Sequence, residues 1–287
     1  MEIAALRKKL IAAYGLTAEQ KTIITGKIKT FYLSAGTGEP LVLLHGAGGG
    51  AVLWGPIIEL LSKHFHIIAP DVVGYGESDK PEAPYDKKFF STWLRTFCDS
   101  LHIEKMNLLG NSQGGAIAMQ FVLDNPAKVK KLILVDSAGL GAWGISPGAM
   151  LKMAAANIFP SKRTVQNIVK YLVHRKDHFP GDDGIDYLIK VIRSSGGRLP
   201  FVNGKGRAVA PFSSDQLRQI SNPALIIWGE KDRILPLSHG KKGYKKLPDA
   251  RLKIIPDTGH TPFIDLPEEF KNIILHFIKP VRRSSNS

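Results

Sequence analysis

The sequence predicts an α/β fold in which a mostly parallel central sheet is flanked by helices and carries an inserted helical cap. Short apolar runs ending in Gly, Pro, Asp or His recur along the chain, and helical patterns separate them. Such runs are typical of buried parallel strands, and their alternation with helices indicates a doubly wound sheet. One long segment interrupts the alternation without a clear strand. We therefore assign residues 1–137 and 215–287 to a core domain and 138–214 to a helical cap, or lid, domain.

The elements follow from apolar spacing in chain order. A surface helix ends near Gly15, because four apolar residues before this C-cap share one helical face: Ile3, Leu6, Leu10 and Tyr14. A hairpin follows, with strands at 22–25 and 28–33. The predicted parallel strands lie at 41–44, 67–69, 106–109, 132–135, 224–228 and 252–255. The predicted core helices cover 86–101, 113–123 and 269–279, and the cap helices lie near 154, 165–173 and 185–192.

Composition excludes several classes of protein. The 287 residues are 44% hydrophobic and 22% charged, which fits a globular enzyme and not a disordered chain. A single cysteine, Cys98, excludes an internal disulfide and a multi-cysteine metal site. No apolar run reaches the roughly 20 residues needed to span a bilayer. The apolar stretch after Arg7 is also too short for a signal peptide, so we expect a cytoplasmic protein.

The net charge of +14 is spread along the chain and has no nucleic-acid-binding motif beside it, so it indicates a solvated surface. Between residues 151 and 210 there are 11 Lys and Arg against 4 Asp, a local excess of +7. We hypothesise that this field over the cap favours anionic substrates.

Two G-x-S-x-G sequences, at 110–114 and 144–148, are candidates for a nucleophile elbow. An elbow needs a strand before the serine and a helix after it, and the next residue must donate its N–H to the oxyanion. Ser112 meets these conditions, because Gln113 has an N–H. Ser146 precedes Pro147, which has none, and is interpreted as a loop residue. The alternative for Ser112 is a helix N-cap serine.

A serine nucleophile requires a base and an acid that orients this base. His260 follows the last predicted strand and is the candidate base. Asp232 follows the strand at 224–228 and is the favoured acid. Asp136, after the strand at 132–135, remains the alternative acid.

The glycine-rich run at 45–50 follows the strand at 41–44 and provides backbone that can approach a ligand closely. Ala47 and Gln113 are the predicted N–H donors of the oxyanion hole. A phosphate-binding loop is the competing interpretation, but the Gly-Lys-Ser/Thr ending of such loops is absent. His45 is interpreted as structural.

Together these segments resemble the α/β-hydrolase superfamily over almost the whole chain. The matching pieces lie at 43–46, 71–78, 110–115, 228–232 and 259–260. The resemblance implies the α/β-hydrolase fold, the chain order Ser112, Asp232, His260, a cap over the site, and neither a metal nor an organic cofactor. Serine in place of aspartate at position 112 excludes haloalkane dehalogenases and epoxide hydrolases.

Within the superfamily the chain resembles serine esterases and the carbon–carbon hydrolases of aromatic ring-cleavage pathways. Asn111 and the junction at 135–141 favour the second group, whereas Thr261 stands where that group usually has Trp. The glycine-rich run at 45–50 of this chain also lacks the Gly-Pro-Gly that is usual in that group. The resemblance makes Asn111 and Arg193 candidates for substrate binding, with Arg198 as the alternative arginine for a substrate carboxylate.

The sequence therefore predicts a serine hydrolase that cleaves a carboxylic ester through an acyl-enzyme. Two alternatives remain: a carbon–carbon hydrolase of the meta-cleavage product type, and a non-catalytic ligand receptor on the same fold. We expect a small-molecule ester as partner, with no nucleic acid and no membrane. The sequence leaves open whether the protein forms a homo-oligomer.

Overall fold

The computed structural model describes residues 2–142, 144–175 and 177–279. Eight strands form one sheet. They are β1 (Glu19–Thr25), β2 (Ile28–Ala35), β3 (Pro40–Leu44), β4 (His66–Pro70), β5 (Met106–Asn111), β6 (Val129–Val135), β7 (Ala224–Gly229) and β8 (Ala250–Ile255). Their order across the sheet is β1-β2-β4-β3-β5-β6-β7-β8. This is the predicted α/β-hydrolase architecture.

Pairing within the sheet confirms the predicted hairpin and the predicted parallel strands. β1 pairs with β2, and β2 with β4, in antiparallel register. All other neighbouring strands in the sheet order, from β4 and β3 across to β8, pair in parallel. The strand predicted at 132–135 begins earlier, at Val129. The sequence did not indicate this start, because two of its residues are lysines. In the structure, the amino group of Lys131 donates to the carbonyls of Phe277 and Ile278.

Helices cover the sheet on both sides. They are α1 (Ile3–Ala13), α2 (Gly55–Ser62), α3 (Lys87–Ser100), α4 (Gln113–Asp124), α5 (Pro147–Ile158), α6 (Lys162–Leu172), α7 (Gly181–Arg193), α8 (Leu199–Val202), α9 (Ser214–Arg218), α10 (Leu237–Tyr244), α11 (Pro262–Asp265) and α12 (Pro267–Ile278). The amphipathic α3 shows why they form: Asp86 caps its first turn, and Phe90, Trp93 and Phe97 enter the core. No helix in the described residues is long and apolar enough to cross a membrane.

Residues 138–214, called the insertion below, connect β6 to the elements before β7. The described part of the insertion contains the helices α5 to α8 and no strand. Helices were predicted in three of these places, and the structure adds the short α8. The N-terminal helix α1 packs against α7, and Lys9 pairs with Asp183 at 3.4 Å. The insertion is therefore joined to the core both by its chain connections and by the contact of α7 with α1.

Candidate active site

Ser112 lies at the turn between β5 and α4. Its backbone has φ 53° and ψ −118°, a conformation that L-residues rarely adopt. The neighbouring strand holds this turn, because the Ser112 N–H donates to the Val135 carbonyl at 3.0 Å and the Ser112 carbonyl accepts from Ala138 at 3.0 Å. The side chain makes no capping hydrogen bond to α4. A helix-cap role therefore does not account for this serine.

Glycines make the sharp turn possible. A side-chain carbon at Gly110 would collide with the carbonyl of Gly114, and one at Gly114 would collide with the carbonyl of Leu44. The turn thus packs backbone against backbone, so α4 starts directly beneath β3. Residues with larger side chains at these two positions would separate the strand from the helix.

His260 and Asp232 form a buried pair. The Nδ1 atom of His260 lies 2.8 Å from Oδ2 of Asp232, and the two side chains are 2% and 0% exposed. The other carboxylate oxygen of Asp232 accepts from the backbone N–H groups of Ile234 and Leu235, at 2.7 and 3.0 Å. The acid is therefore fixed by three donors, and its contact with Nδ1 leaves Nε2 as the free ring nitrogen of His260.

Asp136, the alternative acid, does not make this contact. It is buried at the end of β6, and its Oδ1 accepts from the Gly229 N–H at 2.9 Å. Its second oxygen, Oδ2, has no hydrogen-bond partner in the described chain. Burial, and then the nearby carboxylate of Asp232, raise the pKa of Asp136 well above the ordinary aspartate value. Asp136 is thus a second buried carboxyl group next to the pair, and both its burial and the carboxylate of Asp232 favour its protonated form.

We expect Asp136→Asn to become more stable than the parent as pH rises. Since the folded pKa of Asp136 is raised, its contribution to stability is present below the unfolded pKa of about 4 and is lost as pH rises through the folded value. An amide has no such cost. Urea unfolding at several pH values measures the difference, which should shrink towards acid pH. A constant difference would contradict the raised pKa.

The oxyanion-hole prediction concerns two backbone N–H groups. Ala47 follows β3 and lines the same cavity as Ser112, and Gln113 is the first residue of α4. Neither N–H has an acceptor among the described residues. The phenol of Tyr75 donates to Oε1 of Gln113 at 2.9 Å, which fixes that side chain away from its own N–H. Both groups are therefore available to a ligand oxygen.

His45 is structural, as predicted. Its Nε2 accepts from the Val72 N–H at 2.9 Å, so its Nδ1 carries the proton and donates to the Gly46 carbonyl at 2.8 Å. Burial lowers the pKa of His45 and favours this neutral ring. The carboxylate of Asp71 fixes the other end of the loop through the Ala51 N–H, at 2.6 Å. These contacts hold Ala47 in place from both sides.

A single apolar cavity adjoins Ser112 and His260. The polar side chains in its wall are neutral or imidazole groups: His45, Asn111, Ser112, Asn157, His260 and Thr261. Its apolar wall comes from the core and the insertion and includes Leu53, Met153, Val169, Leu188, Phe201 and Phe263. Among the described lining residues there is no Asp, Glu, Lys or Arg. The cavity suits an uncharged acyl group.

Asn111 was predicted to bind substrate, and the structure shows what else it does. Its amide nitrogen donates to the carbonyls of Val135 and His260, each at 3.1 Å. It therefore joins β5, β6 and the His260 loop, and its side chain also lines the cavity. The sequence did not indicate this bridge, because the two carbonyls lie far apart in the chain.

Arg193 corrects a sequence prediction. It was expected to hold a substrate carboxylate, but its guanidinium donates to the Pro160 carbonyl and its side chain is exposed. The neighbouring Ile192 lines the cavity, whereas Arg193 lies at the surface, one position further along α7. The alternative, Arg198, donates to the Ile158 carbonyl at 3.3 Å and is also exposed. Neither arginine lines the cavity.

Asp265 is a residue that the sequence analysis missed. One oxygen of this buried carboxylate accepts from the N–H groups of His174 and Arg175, at 3.0 and 2.8 Å. The other accepts from the Gly259 N–H at 2.6 Å. Next to this site the His260 N–H donates to the Leu172 carbonyl at 2.8 Å. Asp265 therefore joins the insertion to the loop that carries His260.

We expect Asp265→Asn to lower both stability and turnover. An amide would direct its NH2 towards at least one of the three N–H donors, and a buried unpaired donor costs about 1–3 kcal/mol of unfolding free energy. kcat should fall because the His260 loop loses its support. Denaturant unfolding and ester kinetics measure the two effects.

Asp257→Asn is the matched control for that substitution. Asp257 is exposed and contacts His174 and Arg175 only through side chains, at 2.9 and 3.5 Å. Its replacement should change stability by less than about 0.5 kcal/mol. Equal losses in the two variants would show that the Asp265 clamp has no special part in the site.

The second serine match lies apart from the site. Ser146 is the N-cap of α5, where its hydroxyl accepts from the Ala149 N–H at 3.3 Å and donates to the Arg233 carbonyl. It was predicted to be a loop residue, and it does lie in the loop before α5, where its side chain also caps that helix. Among the described residues, Asp136, Asp232 and His260 also have ligand atoms within 4.8 Å of one another, as a metal site would. Asp232 and His260 already hydrogen-bond to each other, so we assign this cluster to their pair and not to a metal site.

The chain belongs to the α/β-hydrolase family, because the family model described as the alpha/beta hydrolase fold matches residues 39–178 and 160–267. A 2-hydroxy-6-oxo-6-phenylhexa-2,4-dienoate hydrolase from Burkholderia cepacia is 29% identical over 262 residues, which are 85% of this chain and 89% of that protein. The family and the relatives of the chain therefore both indicate a hydrolase.

Solved structures show the same fold. A meta-cleavage product hydrolase from Pseudomonas fluorescens IP01 matches with a TM-score of 0.81 and 26% identity, over 90% of this chain and 97% of that one. A carboxylesterase from Bacillus subtilis matches with a TM-score of 0.84 over 96% and 97% of the two chains, at 20% identity. The second likeness concerns the fold alone. Both carbon–carbon and ester hydrolases thus occur on this architecture.

Proposed function

We propose that the protein hydrolyses carboxylic esters through an acyl-enzyme formed on Ser112. The observation that carries the proposal is the buried pair of His260 and Asp232, at 2.8 Å, beside an apolar cavity that also contains Ser112. A strained serine, a histidine with a fixed tautomer and two unbonded N–H groups are the parts that acyl transfer requires.

The reaction follows from these parts. The Oγ of Ser112 attacks the ester carbonyl while Nε2 of His260 takes its proton. Asp232 keeps the Nδ1 proton in place and stabilises the imidazolium. The carbonyl oxygen becomes negative and accepts from the N–H groups of Ala47 and Gln113. His260 then protonates the leaving alcohol, and a water molecule, activated by the same ring, releases the acid and restores Ser112.

The insertion acts in this proposal as the cap predicted from the sequence. Met153, Val169 and Leu188 come from α5, α6 and α7 and form part of the cavity wall. They shield the reacting carbonyl from bulk water, which strengthens the hydrogen bonds to the oxyanion.

Carbon–carbon cleavage is the second candidate, because relatives such as the dienoate hydrolase from Burkholderia cepacia carry that activity in their names. Their substrate has a carboxylate that needs fixed cationic donors, for which a guanidinium is well suited. The cavity presents no arginine or lysine among its described lining residues. The lining thus favours the ester, which requires no such group.

The two candidates are separated by substrate preference. We expect a higher kcat/KM for p-nitrophenyl butyrate than for a 2-hydroxy-6-oxo-dienoate, because the apolar cavity disfavours a carboxylate that it cannot pair. Arg193→Ala should change ester turnover only modestly, since its guanidinium lies outside the cavity. A higher kcat/KM for the dienoate, lost in Arg193→Ala, would establish carbon–carbon cleavage instead.

A further inference from the structure

The insertion carries most of the large apolar side chains that the described residues expose. Eight such side chains are at least 41% exposed, and six of them lie in the insertion: Met150, Leu151, Ile158, Phe159, Phe201 and Val202. The other two, Ile24 and Tyr244, lie on β1 and α10 of the core. Single exposed apolar residues are ordinary, but a concentration of this kind marks an interaction surface. These six residues are called the apolar patch below.

Helix α5 is apolar on both of its sides. Met153 and Ala156 line the cavity, whereas Met150, Leu151 and Ile158 fall on one outward face by helical spacing. A helix that is apolar all round is normally buried. The outward face of α5 is exposed and has no partner element among the described residues, so it is available to a partner outside the chain.

The apolar patch continues from α5 to α8 and reaches the cavity. The guanidinium of Arg198 donates to the carbonyl of Ile158, which places the start of α8 at the end of α5. Phe201, on α8, lines the cavity and is 41% exposed. The patch therefore borders the cavity beside Ser112.

Cationic side chains surround the apolar patch. Arg193 and Arg198 each donate to one backbone carbonyl at the turn after α5, and their remaining N–H groups have no partner in the described chain. Arg163 is exposed in the first turn of α6. The sequence from 151 to 210 has an excess of +7. No Lys or Arg lines the cavity among the described residues, so these arginines lie outside it.

We propose that the apolar patch and its arginines dock on an anionic phospholipid bilayer and bring the cavity to the lipid. Apolar side chains flanked by Lys and Arg are the pattern of proteins that lie in the membrane interface. A second copy of the chain is disfavoured as the occupant, because Arg193 and Arg198 beside the patch would face the same arginines of the other copy and repel them. If the proposed function holds, the ester substrates are bilayer-borne lipids with acyl chains.

This inference revises the expectation of no membrane contact drawn from the sequence. That expectation rested on the absence of an apolar run long enough to span a bilayer and on the spread of positive charge along the chain, and the described helices include none that could cross a membrane. Contact with the interface needs only an apolar face of modest area and positive charge. The sequence could not show this face, because it emerges only when α5 and α8 meet.

Vesicle flotation tests the proposal directly. We expect the full chain to bind vesicles of phosphatidylcholine with phosphatidylglycerol, to bind pure phosphatidylcholine weakly, and to lose binding as salt rises. Leu151→Ser with Phe159→Ser should weaken binding by about tenfold or more, because both apolar groups leave the interface. Neither residue lines the cavity, so turnover of soluble p-nitrophenyl butyrate should remain unchanged.

Ile24→Ser is the control, because Ile24 is an exposed apolar residue on the core, at 62% against 71% for Leu151 and 73% for Phe159. It should leave vesicle binding intact. The proposal is overturned if anionic vesicles are not bound, if both variants bind alike, or if light scattering shows that the apolar patch pairs two copies. The vesicle readout does not depend on ester cleavage, so failure of the proposed function remains distinguishable.

Discussion

Ser112→Ala is expected to remove ester turnover, with a loss in kcat on the order of 10⁶-fold, the scale seen when the nucleophile of a serine hydrolase is deleted. The variant lacks the Oγ that forms the acyl-enzyme, while Ala47 and Gln113 still offer their N–H groups. The fold should remain intact, because the Ser112 side chain makes no hydrogen bond that the structure records. Steady-state kinetics with p-nitrophenyl butyrate and thermal unfolding measure both parts.

Ser146→Ala is the matched control, since it changes the other serine of the same sequence pattern. It should keep kcat/KM and lose about 1 kcal/mol of stability through the lost cap of α5. Labelling by a serine-reactive phosphonate separates the two sites. An adduct on Ser146, or full turnover by Ser112→Ala, would refute the assignment.

Asp232→Asn is expected to reduce kcat by about 10⁴-fold, as the analogous change does in a serine protease. The amide cannot hold the Nδ1 proton of His260 as the carboxylate does, so the ring adopts the tautomer that cannot accept from Ser112. KM should change little, because Asp232 is fully buried and does not line the cavity. Stopped-flow kinetics across pH measures the loss.

Asp136→Asn should change kcat far less, because Asp136 contacts Gly229 and not His260. The amide keeps the oxygen that accepts from Gly229, and it introduces no charge beside Asp232. If Asp136→Asn proved the more damaging substitution, the orienting acid would lie on β6 and the 2.8 Å contact of Asp232 would not describe the working enzyme.

The sequence predicted the parts of the molecule that depend on local pattern. Strand ends, the elbow and the loops that carry Asp232 and His260 are readable because apolar runs and turn residues mark them within a few positions. The parallel sheet then brings strand ends together, whatever the detail of the side chains. The late start predicted for β6 arose because its first residues include two lysines, which interrupt the apolar run that marks a buried strand.

Other features depend on contacts between distant segments and could not be predicted. Asp265 binds N–H groups of His174 and Arg175, about 90 residues away, through backbone atoms that leave no mark in residue types. Arg193 had the right chemistry for a carboxylate, but its place on α7 turns it to the surface. Asp265 could be identified only by knowing where the insertion contacts the His260 loop, and the sequence does not contain that information.

The proposed function requires that an ester transfers its acyl group to Ser112. Acid quenching during turnover of a slow p-nitrophenyl ester, followed by trypsin digestion and mass spectrometry, detects such an acyl-enzyme. The tryptic peptide 106–128 contains Ser112 as its only hydroxyl residue, whereas Ser146 lies in the peptide 132–152. We expect peptide 106–128 to carry the acyl group, in step with a stoichiometric burst of p-nitrophenol. Turnover without an adduct on that peptide, or with the adduct elsewhere, would refute the role of Ser112.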